Sequence, residues 1–231
     1  FGLSGREGAT QEFLGCTEGV RGGGFIYTQS ETLSVGLVVH LDSLMERGIP
    51  PYELMERFLA SAPVALLLKG ARLVEYSAHL LPEAGRRMVP RPSAAGLLVA
   101  GDAAGLCYTN GLTQEGMNLA MTSGLIAAQV AAEALAEGDF SARRLARYAK
   151  ELEDSFVRRD LKTWERAIDF MREDRLFTVY PRVVSQLMED LYRSDGSPKQ
   201  KIGRLARQAV KDDLSLRQLI ADLYKGGRGY L

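Results

Sequence analysis

Residues 96–120 constrain this chain more than any other stretch. Gly96-Leu97-Leu98-Val99-Ala100 is short and wholly apolar, the pattern of a β-strand buried on both faces. It runs into Gly101-Asp102-Ala103-Ala104-Gly105, so the strand delivers a carboxylate to the carboxyl edge of a sheet, where ligands of open α/β sheets bind. Gly101 lets backbone approach closely, Asp102 can accept hydrogen bonds from a chain of hydroxyls, and the small residues at 103–105 leave room for an extended ligand. A loop over 106–112 follows, and a long Ala-rich helix is expected from residue 113 to about residue 136.

The start of that helix, Thr113-Gln114-Glu115-Gly116-Met117-Asn118, offers unpaired N–H groups at the positive end of a helix dipole. Such an end suits a group that gains negative charge, as the N1/C2=O edge of a flavin does on reduction. Gly116, Ala120, Gly124, Ala127 or Ala128, and Ala131 recur every three to four residues, a small-residue stripe against which a strand or cofactor can lie. Glycine inside a helix costs about 1 kcal/mol relative to alanine, so Gly116 and Gly124 point to close approach. Taken singly, a strand ending in Gly-Asp is commonly a turn, and an Ala-rich helix is commonly just packed. The combination points to the second half of a flavin site.

The flanking sequence gives the rest of the organisation. A short extended run over 9–14, a flexible turn at Gly22-Gly23-Gly24, and a strand from Phe25 to Thr28 come first. Gln29-Ser30-Glu31 then makes the polar turn of a hairpin, and Leu33, Val35, Leu37, Val39 and Leu41 alternate as a half-buried strand. A turn-rich stretch leads to Pro50-Pro51, and 52–60 reads as a helix with Pro51 in its first turn. Residues 71–81 read as extended and 82–92 as a Gly/Pro/Arg loop. Beyond the long helix, Asp139-Phe140-Ser141 supplies a fresh N-cap for helical pattern from 142 to about 173, and 176–231 alternates amphipathic helices with polar turns.

Composition limits the function classes. The chain has 231 residues, 25% of them charged, and a formal net charge of zero, so no nucleic-acid partner is expected. Two cysteines, Cys16 and Cys107, cannot supply the thiolates of an iron–sulfur cluster and form no C-x-x-C. Without a disulfide framework a reducing compartment is the simpler expectation. No run approaches the roughly 18 apolar residues of a spanning helix, so the chain is expected to be soluble or to sit on a membrane surface. The sequence opens Phe-Gly-Leu and contains no G-x-G-x-x-G, as expected of a fragment or a processed chain.

Gly101 to Gly105 followed by Gly116-Met117-Asn118-Leu119-Ala120 resembles the second FAD motif of the glutathione-reductase-type flavoproteins. Thr17-Glu18-Gly19, Gly22-Gly23-Gly24-Phe25-Ile26-Tyr27-Thr28, Ser34-Val35-Gly36-Leu37-Val38-Val39 and Tyr76-Ser77-Ala78-His79-Leu80-Leu81-Pro82-Glu83 are similar to the FixC-type quinone oxidoreductases within that group. The resemblance implies that Asp102 binds the ribityl and pyrophosphate region of FAD and that amides around Gly116 to Asn118 face the isoalloxazine pyrimidine edge. On that likeness the cofactor-binding set is Gly101, Asp102, Ala103, Gly105, Gly111, Gly116, Met117 and Asn118. The implied fold is mixed α+β and α/β, the C-terminal part of a two-domain FAD-binding flavoprotein without its N-terminal dinucleotide-binding βαβ unit. Residues 1–92 would belong to the substrate-side antiparallel sheet, 93–140 to the second half of the FAD domain, and 141–231 to a helical C-terminal region.

Other residues carry less. Tyr76, His79, Glu83 and Tyr108 are candidates for the quinone side, with Tyr108 favoured over Tyr76 because its loop follows the Gly-Asp turn; a satisfied strand-end histidine is the plainer reading of His79. Cys107 reads as a packing residue and His40 as a surface or edge residue. Arg86, Arg87 and Arg91 could reach FAD phosphates or a partner protein, although loop arginines are usually solvated. Lys199, Lys201, Arg204, Arg207 and Lys211 form a basic stretch that could meet an acidic ferredoxin-like partner or anionic headgroups, tempered by Asp212-Asp213.

The expected function is passage of electrons from an electron-transfer flavoprotein to quinone, with no catalytic acid or base, no metal, and any iron–sulfur cluster on a separate ferredoxin-like protein. The expected location is the cytoplasm or the inner face of the cell membrane as a peripheral protein. Two alternatives stay open: a geranylgeranyl-type lipid reductase, and a non-catalytic fragment that cannot hold FAD alone.

Overall fold

The computed structural model describes residues 2–83, 85–111, 113–211 and 213–230. The chain divides into two compact units, Phe1–Glu75 with Met171–Ile220, and Tyr76–Phe170 with Ala221–Leu231. Both are built from helices and small antiparallel ladders.

The first unit begins with an antiparallel sheet of β1 (Thr10–Leu14), β2 (Gly22–Thr28) and β3 (Leu33–Val39), in the order β1-β2-β3. The hairpin turn at 29–32 is closed by Gln29 N–H donating to Thr32 O at 2.9 Å, as its polar composition predicts. Gly22, Gly23 and Gly24, however, lie inside β2 and pair with Val39, Val38 and Leu37. They are a strand and not a flexible turn because a neighbour already occupies their side-chain space. A Cβ on Gly24 would sit 2.4 Å from the Phe58 ring, and one on Gly22 would sit 2.2 Å from Val38 O.

Leu41 leaves the strand and opens α1 (Leu41–Arg47), so part of the expected turn-rich stretch is helical, ending at Gly48 in the left-handed conformation with φ of 64°. Helix α2 (Pro51–Ala60) starts on Pro51 and turns Leu54 and Phe58 inward, followed by α3 (Ala62–Leu67). Ile26, Phe58 and Val64 form one core cluster and Val20, Leu44 and Leu54 another. Residues 71–83 pair with no strand among the described residues, and 71–80 are exposed. An extended run becomes a ladder only where a second strand supplies hydrogen-bond partners.

In the second unit, β4 (Ser93–Ala94) and β5 (Leu97–Leu98) form a tight antiparallel hairpin. The expected parallel-type strand buried on both faces is therefore not present. Leu97 is exposed and Leu98, Val99 and Ala100 are half-buried. The two-residue strands β6 (Tyr108–Thr109) and β7 (Gln114–Glu115) form a second hairpin. That hairpin delays the long helix α4 (Met117–Glu137), which starts at 117 and not 113, with Gly116 at its N-cap.

Helix α4 buries Leu119, Ser123, Val130 and Ala134 against α5 (Ala142–Asp154), whose own N-cap, Ser141, accepts from Arg144 N–H at 3.2 Å. The small-residue stripe is only partly the packed face: Ala120 meets the Gly-Asp turn, but Ala128 and Ala131 are exposed and a Cβ on Gly124 would meet nothing within 4 Å. Contrary to expectation, α4 is long and apolar enough to cross a membrane by length and composition alone. Its alanines and its Leu, Ile, Val and Met residues keep hydropathy high even though Thr122, Ser123 and Gln129 interrupt the apolar run.

The helical pattern over 142–173 breaks where Ser155 caps α6 (Phe156–Thr163), its hydroxyl accepting from Val157 N–H at 3.2 Å, and breaks again before α7 (Ala167–Met171). Helices α8 (Arg175–Thr178), α9 (Tyr180–Tyr192), α10 (Ile202–Val210) and α11 (Leu216–Tyr230) complete the chain. In the first unit, Arg21 on β2 pairs with Asp42 at 2.8 Å and with Asp174, the N-cap of α8, at 2.9 Å. His40 precedes α1 as its N-cap, half-buried near Phe177, and is not a surface residue; burial holds its imidazole below the usual histidine range.

Candidate cofactor site

The Gly-Asp segment is held from both sides. Tyr148 on α5 donates its hydroxyl to Val99 O at 2.9 Å, fixing the chain just before the turn. Gly101 N–H donates to Ser123 Oγ at 3.0 Å, and the Ser123 hydroxyl donates to Ala120 O at 3.0 Å, so the turn is tied to the first turns of α4. Gly101 has φ of 62° and a Cβ there would lie 3.3 Å from Ala120 Cβ, which is why a strand and a helix can converge at this point. Residues Gly101–Ala104 then make one 3₁₀ turn, closed by Gly105 N–H donating to Asp102 O at 2.9 Å.

The turn buries Gly101 and Ala104 but leaves Asp102 and Ala103 exposed. Opposite lies the N-terminus of α4. A Cβ on Gly116 would stand 3.6 Å from Asp102 Oδ1 and 3.6 Å from Cys107 Sγ. Among the described residues the amides of Met117 and Asn118 have no acceptor, and Gly116 offers no side-chain cap; Asn118 Oδ1 is used by Leu119 N–H at 3.0 Å. An exposed carboxylate and two open amides at the positive end of a 21-residue helix thus share one edge.

The intervening loop is set by its own side chains. Asn110 Oδ1 accepts from Thr113 N–H at 2.8 Å, and Gly111 N–H donates to Thr109 Oγ1 at 3.1 Å. Gly111, at φ of 89°, leaves the space into which the Tyr230 ring and hydroxyl project. Tyr108 turns away from this edge into the core and stacks on Trp164 with ring centroids 6.4 Å apart; burial pushes its phenol up to about 12. Burial also pushes the Cys107 thiol up to about 11, against a lowering hydrogen bond from Gln114 Nε2 at 3.0 Å. Cys107 is 2% exposed, the environment of a packing residue. Tyr76 and His79 lie in the exposed, unpaired run and are not brought to the turn by any contact among the described residues.

Glu83 is different. It is half-buried, it raises the pKa values of Cys107 and Tyr230 by its charge, and burial pushes its own carboxyl up to about 7. A carboxyl raised in the folded state favours folding at low pH, and that contribution fades as pH climbs from its unfolded value of about 4.3 through its folded value. Urea unfolding across pH 4 to 8 is therefore expected to show stability falling through this window, and Glu83→Gln to flatten the fall. An identical pH profile in the variant would show that Glu83 carries no such burden.

Arg86 and Arg87 stay partly exposed, as loop arginines usually do, and both turn toward carboxylates. Arg87 grips Asp169 through two bonds of 2.7 and 2.9 Å, and Arg86 lies 3.8 Å from Glu165. The positioning residues that the sequence did not mark are Ser123, Tyr148 and Tyr230. Only Ser123 left a trace, as a hydroxyl set three residues beyond Ala120 on the small-residue helix.

A Gly-Asp turn is thus fixed beside an open helix N-terminus, an arrangement of acceptor and donors that could hold part of a cofactor. Residues 167–231 match the ETF-QO/FixC family C-terminal domain. The chain is 38% identical over 229 residues to the probable electron transfer flavoprotein-quinone oxidoreductase YdiS of Escherichia coli (strain K12), a match covering 98% of this chain and 53% of that protein. It is 39% identical over 228 residues to Protein FixC of Salmonella typhi, with the same coverage, and 38% identical over 224 residues to Protein FixC of Azotobacter vinelandii, covering 96% and 52%. Over nearly its whole length the chain is thus similar to members of the ETF-QO/FixC family, and it spans about half the length of the curated relatives it matches.

Proposed function

We propose that the protein is an FAD-dependent oxidoreductase that passes electrons from an electron-transfer flavoprotein to a quinone, with a ferredoxin-like iron–sulfur protein as a separate partner. The observation that carries this reading is the pairing of exposed Asp102 with the open amides of Met117 and Asn118 across Gly116. The electron-transfer name of the YdiS relative supports it.

The residues fit half of the cofactor. Gly116 keeps the space between the carboxylate and the helix end clear of a side chain, and Ala103 leaves the outer side of the turn open. Asp102 would accept hydrogen bonds from the ribityl and pyrophosphate region. The amides of residues 116–118 would face the pyrimidine edge, with Gly101, Gly105 and Gly111 shaping the backbone around it. FAD, when bound, supplies the redox chemistry. Asp102 and the α4 terminus bind and orient, while the packed core beneath them keeps water from that side. This sequence carries no G-x-G-x-x-G cradle for the adenosine end, so the 231-residue chain alone holds only part of a site.

In this reading 1–92 is the substrate-side portion, 93–140 the second half of the FAD domain and 141–231 the helical C-terminal region. Tyr76, His79 and Glu83 remain the quinone-side candidates, while Tyr108, packed on Trp164 in the core, is set aside. The protein works in the cytoplasm, peripherally on the inner face of the cell membrane when it meets quinone.

The test uses the full-length natural protein with reduced electron-transfer flavoprotein and a soluble quinone analogue. Quinone reduction that depends on both is the expected result. Asp102→Asn, which removes a charge-assisted acceptor, is expected to weaken FAD retention roughly 10- to 100-fold. Saturation of an isoprenoid without quinone reduction would overturn the reading, and undiminished FAD retention in Asp102→Asn would remove the role given to that carboxylate.

A further inference from the structure

Residues 199–211 contain Lys199, Lys201, Arg204, Arg207 and Lys211 and no acidic residue. The structure sorts this stretch into two faces of α10. Leu205 is buried, Ala206, Ala209 and Val210 are half-buried, and the helix packs against α9. Lys201, Arg204, Arg207 and Lys211 are exposed and spaced by three, three and four residues, which sets them in a row on the other side.

Among the described residues none of these four cations has an ion-pair partner. Elsewhere in the same unit Arg21 pairs with Asp42 and Asp174, Arg57 with Glu18 and Glu53, Arg182 with Asp213, and Arg193 with Glu189. Lys199 is set apart, its ammonium donating to Arg193 O. Like charges at three- and four-residue spacing oppose helix formation slightly. A merely solvated helix face ordinarily relieves that repulsion with interspersed Glu, and this one does not.

We infer that the exposed face of α10 is a docking surface for a small acidic protein, whose carboxylates pair with Arg204, Arg207 and Lys211. One feature favours protein over lipid. A helix that enters a membrane interface lays its apolar face into the headgroup boundary, but the apolar face of α10 is already spent on α9, and Ile202 is its one large exposed aliphatic side chain. Complementary charge on such a row speeds encounter and fixes the orientation of the partner. That the partner is an electron carrier rests on the function proposed above. The docking surface itself does not.

The test is direct binding, without turnover, of the full-length protein to a purified acidic [4Fe–4S] ferredoxin, at low ionic strength and at about 0.15 M. The parent protein is expected to bind, more weakly at the higher salt. The triple variant R204E/R207E/K211E is expected to associate 10- to 100-fold more slowly, with an unchanged melting temperature because all three side chains are exposed. The neutral triple R204Q/R207Q/K211Q should fall between the two, and it reads the same face should the reversal variant fail to fold. Ferredoxin binding that is absent in the parent, or unchanged in both variants, overturns the inference. So does loss of binding to phosphatidylglycerol vesicles by the variants while ferredoxin binding persists, which would make the occupant a lipid surface. Retained α10-dependent binding in a protein that reduces no quinone would instead sink the proposed function and leave the docking surface standing.

Discussion

Replacing Tyr148 with alanine is expected to cost about 4 kcal/mol of stability, the range found for emptying a large aromatic from a packed core. Tyr148 is among the largest fully buried side chains in the molecule, and α5 sets it among α4, α6 and the β4–β5 hairpin. Its hydroxyl also satisfies Val99 O at 2.9 Å, two residues before Gly101. The substitution therefore combines a cavity with an orphaned carbonyl at the point where the chain enters the Gly-Asp turn. For a chain of this length the loss corresponds to a fall in melting temperature of roughly 8 to 16 °C. Tyr148→Phe keeps the ring and removes only the hydrogen bond, for about 1 to 3 kcal/mol. In the full-length protein Tyr148→Ala is further expected to release flavin, because Asp102 loses its fixed position. Urea unfolding that places Tyr148→Ala within 1 kcal/mol of the parent would contradict the packing described for this unit.

Gly24→Ala is expected to cost about 3 kcal/mol, at the upper end of ordinary overpacking. The new Cβ would lie 2.4 Å from one ring atom of Phe58 and 2.5 Å from another, and Phe58 is itself 1% exposed and wedged beside Ile26 and Val64. The ring cannot swing away, since Phe13 meets it edge-on with centroids 5.4 Å apart. Either β2 bends away from α2 or the ring leaves its place, and both disturb the same core. Adding Phe58→Leu to Gly24→Ala should recover part of the loss, because a residue in direct contact couples non-additively. A double variant that is simply the sum of its parts would show that the clash lies elsewhere.

These two positions mark how unevenly the sequence could be read. At Phe25 to Val39 alternation and a polar turn named the hairpin, because side chains on successive strand residues point to opposite faces whatever else the protein does. Gly22 to Gly24 misled for the same local reason. Three glycines in a row look flexible until the neighbouring backbones of Val38 and Phe13, and at Gly24 the Phe58 ring more than thirty residues away, are seen occupying the space their side chains would need. The stretch 42–47 hid its helix because α1 is short and borrows stability from burying Leu44 beside Val20 and Leu54.

At the candidate cofactor edge the sequence singles out Asp102 and Gly116, and the structure sets them near each other. The helix start was placed at 113 because the β6–β7 hairpin has only two residues per strand, too few for any periodic signal. Ser123 and Tyr148 act through single hydrogen bonds to backbone across 22 and 49 residues of sequence, and no local pattern announces a partner at that distance. The burial that lifts Glu83 toward neutrality was equally invisible, since it comes from neighbours gathered around the loop and not from the residue itself.

The amino-acid sequence by itself determined the local grammar of this protein: the β2–β3 hairpin, the proline start of α2, the serine-capped start of α5, the Gly-Asp turn, and the likeness to FixC-type proteins. Those features depend on backbone preferences and on residues within a few places of each other. Tertiary structure decided which candidates face one another. It set Asp102 beside the open end of α4, sent Tyr108 into the core, engaged Arg87 with Asp169, and left the exposed cations of α10 without ion-pair partners among the described residues. The Gly-Asp segment is accordingly a candidate site only because α4 and α5 hold it there, through long-range contacts whose energy comes from burial and hydrogen bonding and whose geometry no single stretch of sequence contains.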